Sequence, residues 1–567
     1  GNAFEKSEQG TLWLNGNNNY LGATTISNGY LVAGNDNAFG AATSDITFRG
    51  AAFSQILASG VRTISRNFIN TATASTQTLG GLDAGAKLFS GNVNLSARGL
   101  NLTAVSGGDV TFTGAISGTG AGGINKVGNG TVILNPGTGN TFTGGVTVSQ
   151  GTLVGEAKTG GNPFGTNNVF TVANGVLRLN NNTAAANTTT TTGALTVNSG
   201  NGALIVDNTG GSSTQLTFGS LARSGNATVT FKGITTDIGT AGNEKVSFTA
   251  APSVLNDTIG TWAVIQGAGS DNSGHYATIS GGNIITHTYD TSGDLGAAVT
   301  SATTTHDAGV TASTLVASQS VYALRSNASV DLGGFTLNVG AANAATLGQA
   351  GMILNNGADV GGVAGSLLNF GTNVLSVYTD DAAVSTLSAP VTNFRANTNN
   401  TLSTVFIKFG PGTLELGGAN TFQGNVQVNQ GTLSLTAANV MPVFGNLNAV
   451  TGSMVTIQPG ATVKLNNNNQ EFGNLAGTSV VSPVLNTAGT LDLGTATLVV
   501  GREGSSTTFS GQIIGGAGSV LTKVGGGRLI LDNWDTSRPN SLGTLDIAQG
   551  FVQTWVNDQS WATPTGF

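Results

Sequence analysis

Four stretches of the chain are variants of one phrase, and a recurring phrase limits the fold more than any single residue does. They read Lys6-Ser-Glu-Gln-Gly-Thr-Leu-Trp-Leu, Lys126-Val-Gly-Asn-Gly-Thr-Val-Ile-Leu, Lys408-Phe-Gly-Pro-Gly-Thr-Leu-Glu-Leu and Lys523-Val-Gly-Gly-Gly-Arg-Leu-Ile-Leu. In each, a Lys stands four residues before a Gly (Gly10, Gly130, Gly412, Gly527), and alternating aliphatic residues follow. In the first three an aromatic (Tyr20, Phe142, Phe422) comes next, with a second Gly nine residues beyond it (Gly29, Gly151, Gly431). The fourth reaches Gly550 in Ile547-Ala-Gln-Gly-Phe-Val, the counterpart of Val428-Asn-Gln-Gly-Thr-Leu. A unit of strand, Gly turn, strand, Gly turn cannot bury an apolar face alone, and stacking such units end to end makes a solenoid.

Composition separates this reading from disorder. Charged residues are 8% of the chain, against roughly 25% in an ordinary soluble domain. Gly accounts for 87 of 567 residues, yet 39% of the chain is apolar and arranged in triplets such as Val-Thr-Val, enough to bury a core. The net charge of −7 is thinly spread, and 20 dispersed Lys and Arg make no basic stripe, so no nucleic acid is expected as a partner. Cys is absent, which excludes disulfides, thiolate metal sites and a Cys nucleophile and suits export as an unfolded chain. Gly1-Asn-Ala-Phe-Glu-Lys6 is no signal peptide, and no apolar run of about 18 residues offers a transmembrane helix. A repeat unit under way by Lys6 reads as a processed chain whose targeting segment is gone.

Short period-2 strands bounded by Gly, Asn or Asp recur throughout, for instance Asp109-Val-Thr-Phe-Thr, Asn425-Val-Gln-Val and Thr497-Leu-Val-Val. Their outward positions hold Thr, Ser, Asn and Gln, the residues that stack in ladders from coil to coil, instead of the charges of a sandwich surface. The expected fold is therefore all-β: an elongated parallel β-helix with loop or hairpin excursions. Leu12, Leu14, Val132, Leu134, Leu414, Leu416, Leu529 and Leu531 should face its core. A coil of roughly 22 residues allows at most about 25 coils, and loops lower that number. Helix signals are nearly absent outside Ala341 to Ala350. Three regions are expected: an N-terminal β-helix over 1–181, an irregular β region over 182–330 and a C-terminal β-helix over 331–567 with a Trp-bearing tail. Within the middle region, Asn182 to Thr192 reads as a loop and Tyr276 to Thr286 as a strand pair around Gly281-Gly282.

The phrases at Lys408 to Leu433 and Lys126 to Leu153 resemble the autotransporter-associated β-strand repeat. The resemblance implies a right-handed β-helix, a secreted passenger of the bacterial surface and little about activity. Similar repeats alternate with Gly-Thr-Trp-Ala segments, like that at Gly260, in related giant surface proteins. The family's outer-membrane barrel has no counterpart here, since no alternating strand precedes Phe567.

Candidate chemistry is sparse. Asp380-Asp381 and Asp290 with Asp294 are the best local carboxylate candidates for glycoside hydrolysis, which needs two at a fixed separation, but Asp is also common at turn starts. Arg62 and Arg66 flank Ile64 with no acidic partner nearby in sequence, Arg49 stands apart from both, and all three read as surface charges. His275, His287 and His306 match no compact metal spacing and read as loop residues. Gly515-Gly-Ala-Gly-Ser-Val520 lacks the Asp of a calcium nonapeptide, and no Gly-rich turn ends in a phosphate-binding Lys. The recurrent Lys6, Lys126, Lys408 and Lys523 read as charges that guard an exposed aliphatic strand against wrong pairing.

The expected function is that of a non-enzymatic, cofactor-free structural protein outside the cell, a filament or surface-layer subunit. Copies would meet head to tail through Leu12, Trp13 and Leu14 of the first coil or Trp555 and Trp561 of the tail. An adhesin passenger that binds surface glycans is the alternative, and a carbohydrate-active enzyme the third reading.

Overall fold

The computed structural model describes residues 3–554 except 42, 51–52, 74–76, 158–160, 182, 184–185, 192, 211–212, 240–242, 297–299, 342–347, 394–402, 447–448, 478–487 and 534–537. Trp555 and Trp561, with most of the Ala-rich piece after Ala341, lie outside the described residues. No helix occurs among those described. The strands are short, and they stack in parallel register as a β-solenoid of about 20 turns. The strand at Gln77–Gly81 pairs with Leu100–Thr103, that with Ile124–Val127, and that with the start of Val146–Glu156. Antiparallel strand pairs among the described residues are few: Ala263–Gln266 with Gly274–Ser280 and that with Asn283–Thr286, which also meets Glu244–Phe248 at Ser247, and Val443–Asn446 with Ala449–Gly452; Leu255 and Thr258 form one antiparallel bridge besides. Gly274–Ser280 with Asn283–Thr286 is the strand pair expected around Gly281 and Gly282, both of which have positive φ.

Period 2 does the sorting. Val132, Leu134, Leu414, Leu416, Leu529 and Leu531 are buried, and Leu12 and Leu14 pack partly buried against the core that holds Val132 and Leu134, as the alternation requires. Like residues stack on like because equivalent positions recur one coil apart. Phe68, Phe89 and Phe112 form an aromatic column with centroids 5.8 and 5.1 Å apart. Outside, Asn125 donates Nδ2 to Asn101 Oδ1 (3.1 Å) and accepts from Ser149 Oγ (2.8 Å), a ladder of uncharged polar groups. One expectation fails locally: Asn187–Thr190 is not loop but a strand paired with Thr214–Thr217. The segment lacks apolar alternation, and the adjacent coil supplies the ladder that its β-branched Thr residues accept.

The apolar interior falls into two columns, one from Ile26 to Ile284 and one from Leu295 to Leu531. A third, small cluster of Val264, Tyr276, Tyr322, Ala323, Ile353, Tyr378 and Phe409 belongs to neither interior and joins the two stacks.

Candidate functional site

Two arrangements carry nearly all the buried polar chemistry: the corners of the coils and the junction between the stacks. At the corners the repeat explains itself. Lys126 lies in an inward-facing row, Leu79–Leu102–Lys126–Val148–Val172–Val197, so its stem occupies an aliphatic position of the core. Its ammonium bends to the turn and donates to the carbonyls of Val127 (2.9 Å), Gly128 (2.6 Å) and Gln150 (3.1 Å). Lys408 sits likewise between Val377 and Val428 and donates to Phe409, Gly410, Gly412 and Gln430 at 2.8–3.1 Å. Lys523 bonds Val524 and Gly525, and Lys6 bonds Glu8 and Asn28. All four are buried. The strand-guarding role expected of them is therefore wrong: each caps the inward-turned carbonyls of a corner, with the stem as core packing. Burial pushes the Lys126 ammonium down to about 7 and Lys408 well below its ordinary value. Lys87 reaches a corner from the strand after the turn, bonding Asp83 Oδ1 at 2.7 Å and the Ala84 carbonyl at 3.1 Å.

The second Gly of the repeat is the lid of this corner. Gly29, Gly151, Gly431 and Gly550 all have φ between 62° and 82°. A Cβ on Gly431 would lie 2.4 Å from the carbonyl oxygens of Gly410 and Gly412 and 2.7 Å from Lys408 Nζ. The same triad of contacts surrounds Gly29 with Lys6, Gly151 with Lys126 and Gly550 with Lys523. Lys and Gly thus recur together because they are one contact across two successive coils.

At the junction, five successive strands of the second stack, from Ala323–Ser326 to Asn425–Val428, turn their outward face to the last coils of the first. The outward row Arg325–Ile353–Tyr378–Phe409 is buried although Leu324, Met352 and Val377 beside it fill the interior. Strands covered on both faces read as nearly continuous apolar runs, as in Val405-Phe-Ile-Lys-Phe409. Hydrogen bonds set the register: Gln266 Nε2 to Tyr378 OH (3.0 Å), Tyr378 OH to the Asn272 carbonyl (2.5 Å), Gly274 N to Asn355 Oδ1 (2.8 Å), Arg325 Nε to the Gly274 carbonyl (2.8 Å) and Asn429 Nδ2 to the Asn226 carbonyl (2.9 Å). Arg325 is also paired with Asp307 at 2.9 Å. Burial pushes the phenols of Tyr378, Tyr276 and Tyr289 up. The sequence reading missed this site. Its only sign was the cluster of Trp262, Tyr276 and Tyr289, and the partners lie far along the chain.

The candidate catalytic groups are divided among separate turns. Asp380 is buried and accepts from Asn356 N at 3.0 Å, whereas Asp381 is exposed and accepts from Asn272 Nδ2. Burial raises the Asp380 carboxyl, opposed by the Asn356 and Ala382 backbone amides. Asp290 accepts from Thr305 N of the next coil, whereas Asp294 accepts from Gly296 N and closes a turn. Arg49 is exposed; Arg62 and Arg66, partly exposed, donate to main-chain carbonyls, of Val61 and Phe39 among others. His306 and His275 are in strands instead of loops. His306 bonds Thr291 Oγ1 at 2.7 Å, and burial drops His275 to about 4. The described residues hold no group of three or more His, Cys, Asp or Glu able to ligate a metal. A cleft of about 270 Å³ opens on the second stack beside Asn338, Asn369 and Asn373, and the buried Oδ1 of Asn373 has no hydrogen-bond partner.

A family model described as the passenger-associated-transport repeat matches residues 4–33, 124–154 and 406–435. Over 153 residues, 26% of this chain, the sequence is 35% identical to the adhesin BmaC autotransporter of Brucella suis biovar 1 (strain 1330). That match spans 4% of the adhesin's length. No solved structure matches. Each stretch matched by the family model contains one lysine corner with its glycine lid, and the Lys523 corner repeats the geometry outside them. This chain is a β-solenoid that carries the passenger-associated-transport repeat three times.

Proposed function

We propose that the chain is a rod of an autotransporter-type passenger, displayed at the bacterial surface and adhesive rather than catalytic. The observation that carries this is the corner-and-lid unit, which recurs along stacked coils and coincides with the passenger repeat; a relative named as an adhesin supports it. A passenger of this kind presents its outward Asn, Ser and Thr ladders to a target, and the cleft at Asn373 offers an unused acceptor to a hydroxyl-rich ligand such as a surface glycan. The test is display: the chain fused to an outer-membrane translocator should be stripped from intact cells by added protease and should confer binding on a glycan array. Retention inside the cell, or no binding to any glycan or host-cell surface, removes the reading. Release of reducing sugars from polysaccharides that stops on Asp380→Ala or Asp290→Ala would make it an enzyme.

A second reading is a filament subunit, in which copies meet head to tail through strands Thr11–Leu14 and Phe551–Thr554, where Trp13 and Phe551 are exposed (47% and 70%). A head-to-tail contact that does not close gives filaments. Sedimentation of the 56.4 kDa chain decides it: a strict monomer at all concentrations ends this reading.

A further inference from the structure

Lys232 is a buried lysine that caps no corner of its own coil. It leaves strand Thr228–Gly233 near the end of the first stack, and its Nζ lies 2.5 Å from Asn272 Oδ1 and 2.9 Å from the Asp271 carbonyl. The carboxamide it meets is held at its other end: Asn272 Nδ2 donates to both oxygens of Asp381, at 2.9 and 3.0 Å. The Asn272 main chain is fixed in turn by Tyr378 OH on its carbonyl. Three segments distant in sequence therefore converge: a strand of the first stack, the loop after Ala263–Gln266, and the turn after Val374–Thr379 of the second. A buried amine lies on one side of a carboxamide, and a carboxylate on the nitrogen that would have to leave. Burial lowers the Lys232 ammonium, opposed by Asp271 and Asp381, which favours the free amine that such a reaction uses.

We propose that Lys232 and Asn272 become joined by a side-chain amide bond, formed by the protein itself with Asp381 as the proton carrier. The Lys232 ammonium first gives a proton to solvent. The amine then attacks Cγ of Asn272, the new C–N bond forms, and the proton it sheds passes through the Asp381 carboxylate to Nδ2. The bond from Cγ to Nδ2 breaks and ammonia leaves. One amine and one primary amide become one secondary amide and one ammonia, with no change of oxidation state and no other reactant. Because Asp381 comes from the second stack, the bond forms only once the two stacks have docked. It then ties residues 40 apart in sequence and fastens the loop whose Asn272 and Gly274 carry the junction.

Mass spectrometry of the full, denatured chain tests this. The expected mass is that of the sequence less one ammonia, with a branched peptide joining Lys232 to Asn272 after digestion. Lys232→Arg and the conservative surface variant Asp381→Asn should both return the full sequence mass. A native chain at full sequence mass, or an ammonia loss mapped to an unbranched peptide, overturns the proposal. A branched peptide that persists in Asp381→Asn overturns the role given to that carboxylate. The native-chain measurement needs no variant to fold.

Discussion

At the scale of the residue, this protein rests on a polar contact hidden in an apolar pattern. A Lys at an inward position would be costly to bury alone. It is retained because a coil that turns sharply points several carbonyls inward, and one ammonium serves between two and four of them. The Gly of the next coil must then pass directly over that cap. Gly431→Ala, with its Cβ forced against two carbonyl oxygens at φ 70°, should lower stability by about 1–3 kcal/mol. Gly137→Ala, with no atom within 4 Å of the new Cβ and no positive φ, should cost less than this, and the two urea midpoints give the comparison. Lys126 also makes stability depend on pH. Its folded value near 7 lies below its ordinary 10.5, so between these two the unfolded chain binds more protons and stability rises with pH. Below 7 both states are protonated and the burial cost is fully felt. Wild type should therefore gain on Lys126→Met, which keeps the stem and titrates nowhere, as urea midpoints are followed from pH 6.5 to 9.5.

At the scale of the element, each strand is held by the coil on either side and by little else. Four ion pairs are present among the described residues, and aromatic and Asn ladders supply the contact between coils. Such stacks behave as nearest-neighbour arrays, so damage stays local. Phe89→Ala empties the middle of the Phe68–Phe89–Phe112 column and should cost about 3–5 kcal/mol. Hydrogen exchange should rise in the coils from Ile64 to Leu134 and stay unchanged beyond Thr291. A uniform rise along both stacks would show that the cores are one cooperative unit instead of two.

At the scale of the whole molecule, the junction decides how two rods become one object. Its apolar part is the row Ile353–Tyr378–Phe409 against Val264 and Tyr276, and its register comes from the Tyr378 hydroxyl, which accepts from Gln266 and donates to Asn272. Tyr378→Phe keeps the ring and should weaken docking by about 1–2 kcal/mol by leaving those partners unpaired. Limited proteolysis in the loop between Gln266 and Gly274 should accelerate, with the strand signal in circular dichroism unchanged.

The alternation of apolar residues and the punctuation by Gly were enough to derive parallel coils, an all-β chain and the inward leucines, because those properties depend on neighbours within one coil. The same alternation already placed Lys126 on the face of Ile124, two residues before it, yet a charge by itself argues for solvent. Only the folded corner, with its carbonyls turned in, reverses that balance. Asn187–Thr190 shows the opposite error, a segment with no apolar alternation that becomes a strand because an adjacent ladder is there to receive it. The junction was illegible for a further reason. Tyr378 meets Asn272, and Asn429 meets Asn226, across a hundred residues or more, and no local pattern encodes which outward face of one stack will meet the flank of another. That choice depends on the stacking of complete coils, which brings matching surfaces together only after each has formed.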